Sequence, residues 1–476
     1  MKPSTLQNSY LRMKKISIYI LAVMTIGAGC TKSYNDTING QTPDQRIAAA
    51  MTAYQKKLTG APYGWILMES TTGVAYNQGT SQTGPKIVLA YYMSFTDSNK
   101  VTMFSDWDPT MAATPKSSSY NVKELTRPAL IFDTYSYIHV PCDPDPNVSH
   151  SPYGFGYGWG TDFEFSFSDS VTADKLGDTI HLTGNLNGAQ AVLIKATQAQ
   201  RDGYYAGNVL ALMGGALSLN NILEYFKRLS IGGNNYELRL DLTNRTVTFT
   251  WVDGSGKIQT QTVNYYITGS GIQFATPIVN GSQTITGISN LTYNAGNSTV
   301  TVTIGSQTGT ITGAAAPLKA DATAGSRWWN YGASNGYFWA SGYGFHVNGV
   351  DDAYGIRNQT DTAQGGGTFY YLAYWPAYYS NPADRLSSIM VYTNHLGFAS
   401  YHWAAFPPLY PSNGTTVFQG AGEDGSAPTP SGSAFDKTRQ TLFNPAGFYV
   451  VQTGEKSYDM VLATDGRTWI SWFWPQ

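Results

Sequence analysis

The chain has 476 residues with 29 basic and 31 acidic side chains, a formal net charge of −2, and it is rich in aromatic residues (14%) but poor in charged ones (13%). That length excludes a single small domain and fits two or three units with substantial cores. The near-neutral balance excludes the basic footprint of a nucleic-acid partner, and two cysteines exclude a disulfide framework.

Residues 13–30 read MKKISIYILAVMTIGAGC. Lys14 and Lys15 give a charged start, Ile16 to Ile26 an apolar run too short to span a bilayer, and Gly27, Ala28 and Gly29 a cleavage site of small residues. Residues 1–29 are therefore expected to be a signal peptide, with Met13 the more natural of two starts. Cys30 follows at once, as in the lipobox of bacterial lipoproteins, where the thiol takes a diacylglycerol and the amine an acyl chain such as palmitate; Gly27 stands where the lipobox usually has a branched aliphatic. Cleavage removes Lys2, Arg12, Lys14 and Lys15 and no acid, leaving 447 residues with 25 bases against 31 acids. Lipid on Cys30 leaves Cys142 as a free thiol and makes the anchor the expected membrane attachment.

Residues 30–41 are polar and aperiodic, a lipidated tether able to reach about 35 Å when extended. Thr42 then starts a helix: Thr42 is the N-cap, Pro43 the first helical residue, Gln45 closes a capping box and Gly60 ends the run. Ile47, Met51, Tyr54 and Leu58 share one face. From Tyr63 to Thr197 the period becomes two, as in Asp162-Phe163-Glu164-Phe165-Ser166-Phe167, so 42–200 reads as a helix plus an antiparallel meander.

A second amphipathic helix is expected at Leu219 to Leu229, on Ile222, Leu223, Phe226 and Leu229, and after Gly232-Gly233 the alternation of Leu238, Leu240 and Leu242, then Val247, Phe249 and Trp251, marks strands. Residues 201–313 thus form a second helix-plus-meander unit. FTDSNKVTMF (Phe95 to Phe104) facing LDLTNRTVTF (Leu240 to Phe249) suggests that the two units are related by duplication. Ala314 to Gly325 marks a boundary, and residues 328–476 hold eight of the twelve tryptophans. This third unit, 314–476, reads as an aromatic-rich β-sandwich-like domain, including Arg327-Trp328-Trp329-Asn330-Tyr331, with a mobile loop from Gln419 to Ser433. The fold class is mainly β with a few helices.

Leu58-Thr59-Gly60-Ala61-Pro62-Tyr63-Gly64-Trp65, Val101-Thr102-Met103-Phe104-Ser105-Asp106, Ser118-Ser119-Tyr120 and Leu130-Ile131-Phe132-Asp133-Thr134-Tyr135 resemble the Bacteroidota lipoproteins grouped as domain of unknown function 4302. Asn444-Pro445-Ala446-Gly447-Phe448-Tyr449-Val450-Val451 and Asp465-Gly466-Arg467-Thr468-Trp469-Ile470 are similar to that family's closing strands. The resemblance implies a cell-envelope lipoprotein beside TonB-dependent and starch-utilisation uptake systems of the outer membrane, and implies no catalytic residues. Lys32 and the late Asp36 depart from the acidic tether of surface-exposed members, so both faces of the outer membrane stay open.

No H-E-x-x-H, Walker loop or paired-cysteine metal motif is present, and no cofactor is expected. Gly332-Ala333-Ser334-Asn335-Gly336 fits the form of a nucleophile elbow, but Tyr337-Phe338-Trp339 after it reads as strand, where an elbow needs a helix. His139, Cys142, Asp143, Asp145 and His150 are of metal-ligating type, with His139, Asp143, Asp145 and His150 as a candidate set, although the Asp-Pro steps describe a rigid loop equally well. Asp351, Asp352 and Asp361, or Glu423 with Asp424, are the acids on which glycoside hydrolysis would depend. Trp375, Tyr378, Tyr379 and Trp403 lie near turn signals and are the candidate platform for sugar rings, whose apolar C–H faces stack on aromatic side chains. The reading favoured is a non-enzymatic accessory binding or scaffolding protein of a glycan-uptake system, its partners a membrane through Cys30, a glycan or an uptake complex, and no nucleic acid. A lipid-anchored glycan hydrolase and a structural envelope protein contacting other proteins are the competing classes.

Overall fold

The computed structural model describes residues 40–125, 127–168, 177–362, 366–378, 383–424 and 431–475. The expected signal peptide, Cys30 and most of the expected tether lie outside them. No helix among the described residues is long and apolar enough to cross a membrane.

Helix α1 (Pro43–Thr59) starts as its capping signals require: the Thr42 hydroxyl accepts the Gln45 N–H at 3.3 Å and the Gln45 side chain accepts the Thr42 N–H at 3.0 Å. Its buried face, Tyr54 and Leu58, packs on the first sheet, with Tyr54 stacked on Phe167 at 3.8 Å between ring centres.

The first sheet contains β1 (Trp65–Ser70), β4 (Val88–Phe95), β5 (Lys100–Ser105), β6 (Lys116–Glu124), β7 (Pro128–Phe132), β8 (Glu164–Phe167), β9 (Thr179–Gly184) and β10 (Gln190–Lys195); β2 (Val74–Asn77) and β3 (Thr80–Thr83) form a separate hairpin. Because β1 pairs with both β4 and β10, the sheet is a closed antiparallel barrel without edges. Inward residues fill it, among them Leu67, Tyr91, Met103, Phe132, Phe165 and Leu193. Helix α2 (Pro109–Ala113) follows β5, and the long β7–β8 connection, which carries α3 (Pro146–Ser149), adds Tyr137, Ile138, Tyr153 and Trp159 to the same core.

After the barrel come α4 (Gln198–Tyr205) and α5 (Asn208–Ser218). The helix expected at Leu219–Leu229 is displaced upstream. Leu219–Asn221 is one 3-10 turn, and Phe226 and Leu229, whose spacing imitates a helix, belong to β11 (Phe226–Ile231), held by ladders on both sides. The real helix is apolar nearly all round and contains Gly214 and Gly215, which hides its signal. Gly215 is there for approach: a Cβ would lie 2.8 Å from the Leu291 Cβ.

The second sheet has nine strands: β11, β12 (Asn234–Asp241), β13 (Thr246–Val252), β14 (Ile258–Thr268), β15 (Gly271–Asn280), β16 (Gln283–Ile288), β17 (Asn290–Asn294), β18 (Thr299–Ile304) and β19 (Gln307–Ala314), in the order β16-β15-β14-β13-β12-β11-β19-β18-β17. Its inner face, α5 and the barrel's outward Ile66, Tyr92 and Phe104 make one continuous core. Both segments compared in the sequence are hairpins, β4–β5 and β12–β13, yet the first lies in a closed barrel and the second in an open sheet.

Helix α6 (Ala324–Asn335) opens the third unit, so Arg327 to Tyr331 are helical, not part of a strand. The third sheet runs β20 (Trp339–Ser341), β23 (Gly367–Trp375), β24 (Asp384–Tyr392), β25 (Leu396–Leu409), β26 (Thr415–Asp424), β27 (Phe448–Gly454), β28 (Ser457–Leu462), β29 (Thr468–Phe473) and β21 (Phe345–Val347), with β22 (Thr360–Asp361) paired to β23. Ala340 of β20 also pairs with Phe473 of β29, so this sheet curls back on itself. Trp328 of α6 is fully buried inside it, with the rings of Trp339, Tyr374, Phe418 and Trp472 centred 5.2 to 5.8 Å away. Helix α7 (Ala434–Leu442) adds Phe435 and Leu442 to this core. Of the loop expected at Gln419–Ser433, Gln419 to Asp424 continue β26, and 425–430 lie outside the described residues.

Candidate functional site

The register of the third sheet decides which aromatic side chains reach its outer surface. Successive residues of a strand point to opposite faces, and directly paired residues share a face. Leu372, Tyr374 and Leu386 belong to the interior core. Tyr371, Ala373 and Trp375 on β23, paired with Ile389, Ser387 and Arg385 on β24, therefore face outward. Ala340 on β20 stands beside Ala373 on one side and Phe473 on the other. On the outer face of the third sheet these residues form a second apolar cluster, with Phe338, Ala340, Ala373 and Ile389 at its centre and Tyr371, Trp375, Phe398 and Phe473 packed around it.

The cluster has small residues underneath and rings over them. Ala340, Ala373 and Ser387 are buried, whereas Tyr337, Tyr371, Trp375, Tyr378 and Phe398 stay partly exposed. The Trp375 ring is centred 5.1 Å from Tyr378, 5.4 Å from Phe338, 5.5 Å from Tyr337 and 6.0 Å from Phe398. These are edge and tilted contacts, not face-to-face stacks. Arg385 lies beneath, its guanidinium 4.1 Å from the Phe398 ring centre and 4.8 Å from that of Tyr378, a double cation–π contact at a buried site. The turn that carries Tyr378 is tied down by the buried Asp384, which accepts hydrogen bonds from the Ala377 N–H (2.8 Å), the Tyr374 hydroxyl (2.7 Å) and the Trp329 indole N–H (2.8 Å). Burial raises the Asp384 carboxyl above its ordinary pKa, opposed by these three donors.

The structure thus brings Trp375 and Tyr378 together and separates Trp403 from them. Trp403 pairs with the inward Leu386 and packs against the interior core under the guanidinium of Arg439, at 4.0 Å, on the other face of the sheet. Tyr379 lies outside the described residues. Arg385, Phe398, Tyr371 and Phe473 join the surface without having been singled out in the sequence. The one signal for them is the alternation Tyr371, Ala373, Trp375, which sets a small residue between two rings.

The candidate acids have other engagements. Asp361 is buried and accepts hydrogen bonds from the Tyr392 hydroxyl (3.0 Å) and the Ser400 hydroxyl (3.2 Å) and N–H (2.5 Å). Asp352 caps a 3-10 turn by accepting the Ile356 and Arg357 N–H groups at 2.7 and 3.1 Å. Asp351, with 84% of its side chain exposed, pairs with His346 at 2.5 Å. Ser334 sits in the last turn of α6, before the left-handed Gly336, without the strand-to-helix geometry of a nucleophile elbow.

The candidate metal set is likewise engaged. His139 accepts the Ser136 N–H at Nδ1 and donates from Nε2 to the Phe132 carbonyl, each at 3.1 Å, and burial lowers its pKa, so the ring is neutral with both nitrogens in use. Asp143 accepts from the Tyr135 hydroxyl and the Asp145 N–H, and Asp145 caps α3 through the Asn147 N–H. His150 ends that helix in a left-handed, exposed conformation. Among the described residues no three potential ligands are grouped for a metal. Cys142 is a free thiol, 3.1 Å from the Thr161 hydroxyl, and burial pushes its pKa up.

A family model described as a domain of unknown function (DUF4302) matches residues 35–294, the barrel and most of the second sheet. No curated protein matches the chain.

Proposed function

The chain belongs to the DUF4302 family, and from that premise we propose that it is a Bacteroidota lipoprotein, anchored to the outer membrane through Cys30, that serves a glycan-uptake system as a non-enzymatic binding component. The lipobox-like run ending in Gly27-Ala28-Gly29-Cys30 supports the anchor. The observation that carries the binding role is the outer face of the third sheet, where the partly exposed rings of Trp375, Tyr378, Phe398 and Tyr371 gather over buried Ala340, Ala373 and Ser387. A sugar ring laid across the exposed parts of these rings gains dispersion and C–H contacts from them. The engagement of Asp351, Asp352 and Asp361 in caps, pairs and buried networks favours binding over hydrolysis.

Affinity electrophoresis through gels containing a panel of polysaccharides tests the reading. At least one polysaccharide retards the protein, Trp375→Ala weakens retardation by roughly five- to thirtyfold, the equivalent of about 1–2 kcal/mol, and Trp403→Ala, on the opposite face, leaves it intact while circular dichroism stays native. Absence of retardation on the whole panel overturns the binding role.

A further inference from the structure

Between the second sheet and the third unit lies a cleft of 610 Å³, within the range of small-molecule sites and sharing no lining residue with the aromatic surface. Its ionic groups are unevenly engaged. Arg327 is paired with Asp321 at 2.8 Å, and Lys319 donates to the Gly256 carbonyl at 2.7 Å. Glu237 accepts the Leu318 N–H at 3.0 Å and feels the charge of Arg228 beside it, while burial raises its carboxyl. Asp459, behind the cleft, accepts the Tyr225 hydroxyl at 2.6 Å. Two cations of the described lining remain. Lys227 donates only to the Glu224 carbonyl, at 3.1 Å, and the Glu224 carboxylate is itself taken by Arg467 at 2.6 Å. Arg239 is exposed and has no hydrogen bond or ion pair among the described residues.

Strand register extends Arg239 into a row. On one face of the second sheet Arg239 stands beside Thr248 and Thr248 beside Thr262; in the adjoining row Glu237 stands beside Thr250 and Thr250 beside Thr260. The hydroxyls pair across the strands at 2.8 Å (Thr248 with Thr262) and 3.1 Å (Thr250 with Thr260). Each pair uses one O–H internally and keeps another, with spare lone pairs, for a ligand. Three strands span about 10 Å. Trp469, half-buried and covered on one side by the stacked His346 at 3.7 Å, gives the opposing wall an aromatic surface.

We propose that this cleft binds a carboxylate-bearing saccharide, its carboxylate on Arg239 and its hydroxyls along the threonine rows. A guanidinium matches a carboxylate through two parallel N–H donors, which the neutral threonine face alone cannot supply. The site is separate from the glycan surface of the third sheet and does not depend on it.

Calorimetric titration of the full chain with di- and trigalacturonate, against neutral galacto-oligosaccharides of equal length, tests the assignment. The acidic sugars bind and the neutral ones bind at least about tenfold more weakly. Arg239→Gln abolishes that preference, Arg239→Lys restores part of it, and Thr262→Val weakens binding of the acidic sugar severalfold. Arg239 is exposed, so its variants keep the fold, which circular dichroism checks. Equal affinity for acidic and neutral sugars, no binding of either, or an acidic preference that survives Arg239→Gln overturns the proposal. None of these results bears on retardation through Trp375.

Discussion

Asp106, just after β5 of the barrel, and Arg245, in the turn between β12 and β13 of the second sheet, meet as a buried ion pair with 0% and 8% of their side chains exposed. Arg245 adopts φ +52°, an unusual conformation for an arginine, and from it reaches the Asp106 carboxylate, the Asp106 carbonyl at 3.0 Å and the Val88 carbonyl at 3.0 Å. The carboxylate also accepts the Ala90 N–H of the barrel at 2.9 Å and the Ile267 N–H of the second sheet at 2.7 Å. One carboxylate thus joins both β units matched by the family.

Removing one partner of such a pair strands the other charge in a dry interface, which typically costs about 3–5 kcal/mol. Arg245→Ala should therefore lower the urea midpoint of the chain substantially. Arg245→Met with Asp106→Asn should lose less than the sum of the single changes, because neither leaves a bare ion. Denaturation followed by intrinsic tryptophan fluorescence measures both, and an Arg245→Ala protein within about 0.5 kcal/mol of the parent contradicts the clamp.

Glu69 sets a pH dependence of opposite sense to that of ordinary surface acids. It points into the barrel, fully buried, with Oε1 accepting the Asp162 N–H at 2.6 Å and Oε2 without a hydrogen-bond partner. Burial raises its pKa well above the ordinary carboxylate value, so the folded state keeps the proton and the unfolded state releases it first. Its contribution is complete below the unfolded pKa of about 4.5 and declines as pH rises toward the folded value, by up to about 1.4 kcal/mol per pH unit. Asp321 runs the other way: the Arg327 hydrogen bond holds its pKa at about 2, so what it contributes is lost as pH falls from about 4 toward 2. Urea denaturation at pH 5, 7 and 9 should show the parent losing stability with rising pH faster than Glu69→Gln. Parallel slopes for the two proteins exclude a protonated Glu69.

What the sequence made legible depended on whether the signal was local. Thr42, Pro43 and Gln45 specify α1 within one turn, and Phe165 and Phe167 mark a half-buried strand by alternation alone. Helix α5 was hidden because an all-round apolar segment has no polar face to define its period, whereas β11 supplied a false helical spacing. The aromatic surface was half visible. Trp375 and Tyr378 are close in sequence, but Phe398 reaches them only through the pairing of β24 with β25, whose register shifts between Ser387 and Ile389. In the sequence Trp403 is equivalent to Trp375, because composition does not record which face a ring takes. Nor does the sequence show that Asp361 and His139 are engaged, since Ser400 and Phe132, which hold them, are far away or on another element.

Asp384 connects the stability of the third unit to the shape of its aromatic surface, so its substitution separates a merely packed turn from one that positions a ring. The carboxylate takes three donors, from Trp329 on α6, Tyr374 inside the sheet and Ala377 beside Tyr378. Ala377 has φ +50°, a strained conformation held in part by that bond. An asparagine at this position offers a single acceptor oxygen and turns an amide NH₂ toward donors, so at least one of the three loses its partner at about 1–3 kcal/mol. Asp384→Asn should lower the melting temperature and, at temperatures where the protein is still folded, weaken polysaccharide retardation nearly as much as Tyr378→Ala does. Thr415→Val, at a buried site of the same sheet away from this turn, should lower the melting temperature without that second effect. A folded Asp384→Asn protein with unchanged retardation would mean that the turn under Tyr378 keeps its shape without the carboxylate, and that the ring is placed by Trp375, Phe398 and Arg385 alone.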